Sequence, residues 1–101
     1  MKKKKRTDEF CIMPPSPLYE TERRDGLVRH EVFFGTANRK KSIDFGLVVF
    51  LTPEMHNMSN KGVHFNIEFD LQLKLIAQRT AMQYYGWSKE DFIKNFGRNY
   101  I

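Results

Sequence analysis

A stripe of mostly apolar side chains in the second half of the chain is the strongest constraint on the fold. Ile67, Leu71, Leu75, Gln78 and Met82 recur at three- and four-residue spacing, flanked by Phe69, Leu73 and Ile76. That period predicts a long amphipathic helix from Ile67 to Tyr84. Asn66 is placed to cap it, Glu68 and Asp70 favour the positive end of its dipole, and Gly86 closes the far end. Such a helix must bury its stripe against something. In a chain of 101 residues only one further layer is affordable.

The first half supplies that layer. Leu27 to Phe34 carries β-type residues, with Arg29, His30 and Glu31 set among them, and Gly46 to Leu51 is an apolar run of strand length. These two segments are expected to pair across a loop, Gly35 to Asp44, that holds Asn38-Arg39-Lys40-Lys41-Ser42. Thr52-Pro53-Glu54 reads as the start of a short helix, and Asn57 to Gly62 as a turn. Ser88 with Asp91 forms a capping-box pattern for a last helix that Gly97 stops. Upstream, Pro14, Pro15 and Pro17 exclude a helix, so Phe10 to Pro17 is expected to run extended and to pack Phe10, Ile12 and Leu18 on the body. Glu20 to Gly26 reads as a polar turn. The expected fold is α+β: a β-hairpin and short helix, then a long helix and a short last one. Residues 10–101 form this one domain, after a disordered basic arm over residues 1–9.

Charge is distributed unevenly. The net charge is +5, and Lys2 to Arg6 carry five positive charges, so the other 12 basic residues balance 12 acidic ones. The basic character belongs to the arm, which suits weak phosphate contacts or simple solvation. Nine Phe, four Tyr and one Trp provide apolar surface for a core. No apolar run is long enough to span a bilayer. Thr7-Asp8-Glu9 follows the basic arm where a secretory signal would be apolar, so a cytoplasmic protein with no membrane partner is expected. Cys11 stands alone, which excludes an intramolecular disulfide and a multi-thiolate zinc site.

Three histidines are the first candidates for chemistry. His30 lies in the first strand, His56 where the second strand passes into the short helix, and His64 before the long helix. Imidazoles on three consecutive elements, with Glu31 and Glu54 nearby, have the ligand types for a divalent cation; three unrelated histidines are the alternative. Arg39, Lys40 and Lys41 are candidates for phosphate contacts or for a solvated loop. Tyr84, Tyr85 and Trp87 are candidates for stacking on bases or, more commonly for aromatics at a helix end, for the core, and Met13, Met55 and Met58 are expected in the core.

Arg29-His30-Glu31-Val32-Phe33-Phe34-Gly35, the Asn38 to Ser42 segment, Gly46 to His56, Gly62-Val63-His64-Phe65, Phe69 to Lys74 and Phe96 to Tyr100 occur in that order. This succession resembles small HNH-like proteins of bacteriophages and prophages, relatives of the ββα-metal endonucleases. The resemblance covers residues 10–101. It implies a hairpin and helix around one divalent metal, Mg²⁺ or Mn²⁺, and cleavage of phosphodiester bonds in DNA within a bacterial host cell. His30 matches the histidine of the first motif element, His56 the one that ends the second, and His64 the last. Catalysis would fall to His30 and Glu31, metal binding to His56 and His64, and nucleic-acid contacts to Arg39, Lys40 and Lys41.

The chain also departs from that pattern. Arg29 and Glu31 flank His30 where relatives often place a second histidine or an aspartate, so His30 is either the base or a ligand with Glu31 in the base's place. No asparagine stands near Gly46-Leu47 to orient a base, and the two cysteine pairs of a structural zinc are missing. The alternative expectation is a non-catalytic relative that binds nucleic acid or inhibits a host protein such as a nuclease.

Overall fold

Every residue of the strand Val48–Leu51 is buried, which requires cover on both of its edges and both of its faces. A computed structural model shows how this is met; it describes residues 10–56 and 67–101. In chain order the elements are β1 (Val28–Glu31), α1 (Asn38–Phe45), β2 (Val48–Leu51), α2 (Ile67–Tyr85) and α3 (Lys89–Phe96). The expected α+β architecture is the one found: a two-strand antiparallel hairpin, short helices, and a long helix followed by a short one.

β1 and β2 pair antiparallel with Val28 opposite Leu51, Arg29 opposite Phe50, His30 opposite Val49 and Glu31 opposite Val48. The other edge of β2 is closed by the proline-bearing segment. Glu20 and Phe50 exchange backbone hydrogen bonds of 3.0 and 2.9 Å. Further along, the Ile12 amide donates to the Gly46 carbonyl at 2.8 Å, and the Cys11 thiol donates to the Val48 carbonyl at 3.0 Å. Met13 is buried, and Ile12 and Leu18 pack against the core, as the extended reading of this segment requires. With β1 on one edge and this segment on the other, β2 is left without the open backbone groups that would otherwise invite further pairing.

The polar segment between the strands departs from the expectation of a loop: Asn38 to Phe45 is helical. Its sequence has almost no amphipathic period, and tertiary bonds supply what periodicity does not. The buried Ser42 hydroxyl donates to the Phe33 carbonyl at 2.7 Å and accepts from the Phe33 amide at 3.0 Å. Asn38 and Lys41 donate to the carbonyls of Phe96 and Asn95, and the Tyr85 hydroxyl donates to the Phe45 carbonyl. Gly46 ends the helix at φ 77°, where a Cβ would come within 2.9 Å of the Phe10 ring. Only glycine meets both conditions without strain.

α2 occupies the expected span and buries a different face. Leu73, Ala77, Gln78 and Ala81 are buried, whereas Ile67 and Leu71 are 52% and 46% exposed. Ala77 and Ala81 join Leu73 in the hydrophobic core. Gln78 is the polar member of this face. Its Nε2 donates to Asn99 Oδ1 at 2.8 Å and its Oε1 accepts from the Tyr100 amide at 2.7 Å. The C-terminal residues are thereby held against α2, and Tyr100 lies beside Phe33 and Phe92. α3 begins with the expected capping box, Ser88 and Asp91 each bonding the other's backbone at 3.0 Å, and ends at Gly97. Phe33, Phe92 and Phe96 meet in the core, and Phe45, Tyr85 and Trp87 form an adjoining aromatic cluster.

Candidate functional site

β1 carries three consecutive charged or titratable residues, and strand side chains alternate between faces. Arg29 and Glu31 share a face, and the Arg29 Nε donates to Glu31 Oε2 at 2.9 Å. His30 lies between them in sequence and points the other way, where it is 1% exposed.

The second strand then delivers His56. Thr52 caps the helical turn over residues 53–56: its hydroxyl accepts from the Met55 amide at 3.2 Å, and its carbonyl from the His56 amide at 2.8 Å. The turn brings the His56 ring edge-on to His30, centres 5.5 Å apart and planes at 80°. Phe34 lies on another side of His30 at 5.8 Å. Neither nitrogen of His30 has a hydrogen-bond partner among the described residues. Burial pushes its pKa down to about 3, helped by His56 and by the Lys74 ammonium. His30 is therefore neutral at neutral pH.

Lys74 reaches this region from α2. Its Nζ donates to Asp70 Oδ2 at 2.6 Å and sits 4.2 Å from the centre of the Phe34 ring. Asp70 Oδ1 is buried without a partner among the described residues. Both residues lie in a segment that carries the family resemblance, but sequence reasoning gave Asp70 only a helix-dipole role and Lys74 none. Their i, i+4 spacing was the signal that could have drawn the pair out.

An open cleft of about 440 Å³ lies alongside, lined by Arg29, Glu31, Phe34, Gly35, Arg39 and His56. Arg39, at the start of α1, holds its Nε 3.8 Å from Glu31 Oε1, so the carboxylate stands between two guanidiniums. Lys40 and Lys41 do not line the cleft. Lys40 pairs with Asp44 at 3.2 Å on the exposed side of α1, and Lys41 bonds the Asn95 carbonyl at 2.6 Å. Glu31, Arg39 and His56 thus line one cleft, and His30 is linked to it through its contact with His56. His64 lies outside the described residues, as do the basic arm, the turn over 57–62 and Asn66.

Two imidazoles that share one cation have ring centres roughly 5 Å apart, given metal–nitrogen distances near 2.1 Å. The His30–His56 separation of 5.5 Å fits that spacing, and the unpartnered nitrogens of His30 are chemically suited to it. Among the described residues, no three His, Cys, Asp or Glu side chains form a cation-binding group. Nor is any helix among them long and apolar enough to cross a membrane. Comparison of the chain with protein-family models, with curated proteins and with solved structures found no match.

Proposed function

We propose that the protein is an HNH-like, divalent-metal-dependent endonuclease acting on DNA. The observation that carries this reading is the edge-on approach of His56 to His30, at the spacing of two imidazoles on one cation, beside a cleft lined by two arginines and a glutamate. His30 and His56 would hold Mg²⁺ or Mn²⁺, with His64 as the further ligand that the family resemblance implies. The ion supplies Lewis-acid polarisation of the phosphodiester and offsets charge on the departing oxygen.

The protein's own groups divide the remaining work. The low basicity of His30 suits a ligand better than a proton acceptor. Glu31 is then the group to take the proton from the attacking water as the water oxygen bonds to phosphorus and the sugar oxygen leaves. Arg29 fixes that carboxylate through its 2.9 Å bond. Arg39 supplies positive charge at the cleft mouth.

The engagement of Glu31 by both guanidiniums favours a second reading, a non-catalytic relative that uses the same cleft to bind DNA or a host protein. Plasmid nicking separates the two. The nuclease relaxes supercoiled DNA with Mg²⁺ or Mn²⁺ and stops in EDTA, and the loss follows substitution of His56. Unaltered plasmid in every metal, with DNA retained by the protein, would establish the second reading.

A further inference from the structure

Three apolar side chains of α2 take no part in the hydrophobic core of the described residues. Ile67 and Leu71 are exposed, and Leu75 is half-buried. They stand four residues apart and so form one row along the helix, of which Arg79, also exposed, is the next member. Glu68 is exposed beside the row at its N-terminal end. Ile101 extends the apolar surface: it is 38% exposed and follows Tyr100, whose amide bonds Gln78 one turn beyond Leu75. The row is thus acidic at one end, apolar in the middle and basic at the other. Glu68 and Arg79 lie roughly 16 Å apart along the helix axis. Neither side chain has an ion-pair partner among the described residues.

We propose that this row is the contact surface for a second copy of the chain, set antiparallel about a two-fold axis midway between Leu71 and Leu75. Reversal makes the row complementary to itself. Read backwards it runs basic, apolar, acidic, so Leu71 of each protomer meets Leu75 of the partner subunit. Ile67 then meets the methylene stem of the partner's Arg79, and Glu68 faces its guanidinium. In an isologous dimer that charge pair occurs twice. A parallel pairing would instead set Glu68 against Glu68 and Arg79 against Arg79. An unrelated partner would have to carry the same pattern in reverse, whereas a second copy carries it by necessity.

The contact is one helix wide, smaller than a permanent interface, so the dimer is a transient one of micromolar affinity. None of its residues lines the cleft beside His56, and the proposal does not depend on the nuclease reading.

Sedimentation equilibrium of the full chain tests it, with the protein freed of nucleic acid, kept in EDTA and measured from low micromolar to millimolar concentration. The chain is expected to pass from monomer to dimer over that range. Leu71→Asp should weaken association by about a hundredfold, because it sets carboxylates in the apolar centre. Glu68→Arg and Arg79→Glu should each weaken it roughly tenfold by placing like charges opposite one another. An equimolar mixture of these two variants should recover the parent affinity as a heterodimer, and the double variant should recover it as a homodimer. All three positions are exposed, so the variants keep the fold, which circular dichroism checks. A chain that stays monomeric at millimolar concentration would overturn the proposal. A dimer indifferent to a folded Leu71→Asp would lie on another surface and overturn it as well. Single charge variants that associate like the parent, or a mixture that does not recover, would exclude the antiparallel pairing and with it the proposal.

Discussion

His56 meets His30 edge-on, with ring centres 5.5 Å apart, although 25 residues of chain separate them. The contact joins the middle of β1 to the helical turn after β2. It is possible because the antiparallel register sets His30 opposite Val49 and returns the chain beside it. Burial first, and then the neighbouring imidazole and the Lys74 ammonium, oppose a positive charge on His30.

That environment makes stability depend on pH. The folded-state pKa of His30 is about 3, below the ordinary 6.5, so the unfolded chain binds a proton that the folded one refuses. The stability that His30 contributes is complete above its unfolded value and falls as pH drops, by up to about 1.4 kcal/mol per pH unit from one group. Urea unfolding between about pH 6.5 and 4.5 should show this slope, before most carboxylates titrate. His30→Leu should flatten it, and equal slopes for the two proteins would refute the assignment.

The division of labour at the site is open to a metal-rescue experiment. His30→Ala and His56→Ala should cut nicking at low Mn²⁺ and recover part of it at high Mn²⁺, as lost ligands do. Glu31→Gln should lose on the order of 10² to 10⁴ in rate with no recovery, as a lost proton acceptor does. If Glu31→Gln is the rescued variant and His30→Ala is not, the two roles are exchanged.

Ser42 ties α1 to the residues after β1 through its hydroxyl proton, donated to the Phe33 carbonyl, and one lone pair, which accepts from the Phe33 amide. Ser42→Ala leaves the Phe33 amide and carbonyl without these bonds in a buried place, at a cost of about 1–3 kcal/mol. Ser42→Thr keeps the hydroxyl and adds a methyl group to a packed site. Denaturant midpoints of the two variants should both fall. A Ser42→Ala protein as stable as the parent would show that α1 is held without this bond.

Gln78 joins the tail to α2. Gln78→Leu removes the bonds to Asn99 and to the Tyr100 amide while filling a similar volume. Tyr100 should lose its place beside Phe33, seen as faster amide exchange at Tyr100 and a stability loss of roughly 1–3 kcal/mol. Unchanged exchange at Tyr100 would mean that ring packing alone holds the tail.

Local chemistry accounts for what was legible in the sequence. The capping box at Ser88, the stop at Gly97, the cap at Thr52, the extended proline segment and the span of α2 each depend on neighbours a few residues apart, so their residues announce them. The same holds for the two strands and hence for the α+β class. α1 was not legible because its helix bonds rest on Phe33, Tyr85, Asn95 and Phe96, none of which is close in sequence. The buried face of α2 was misjudged because apolar size marks Ile67 and Leu71, whereas the core takes Leu73, Ala77 and Ala81. At the site, the sequence by itself determined which side chains are present and that Arg29 and Glu31 share a strand face. Only the tertiary structure decided that His56 would reach His30, that Arg39 and not Lys40 or Lys41 would face Glu31, and that Lys74 would bear on the imidazole. Those choices depend on how the helices and the hairpin dock, and docking is set by burial summed over the whole core rather than by any local run of residues.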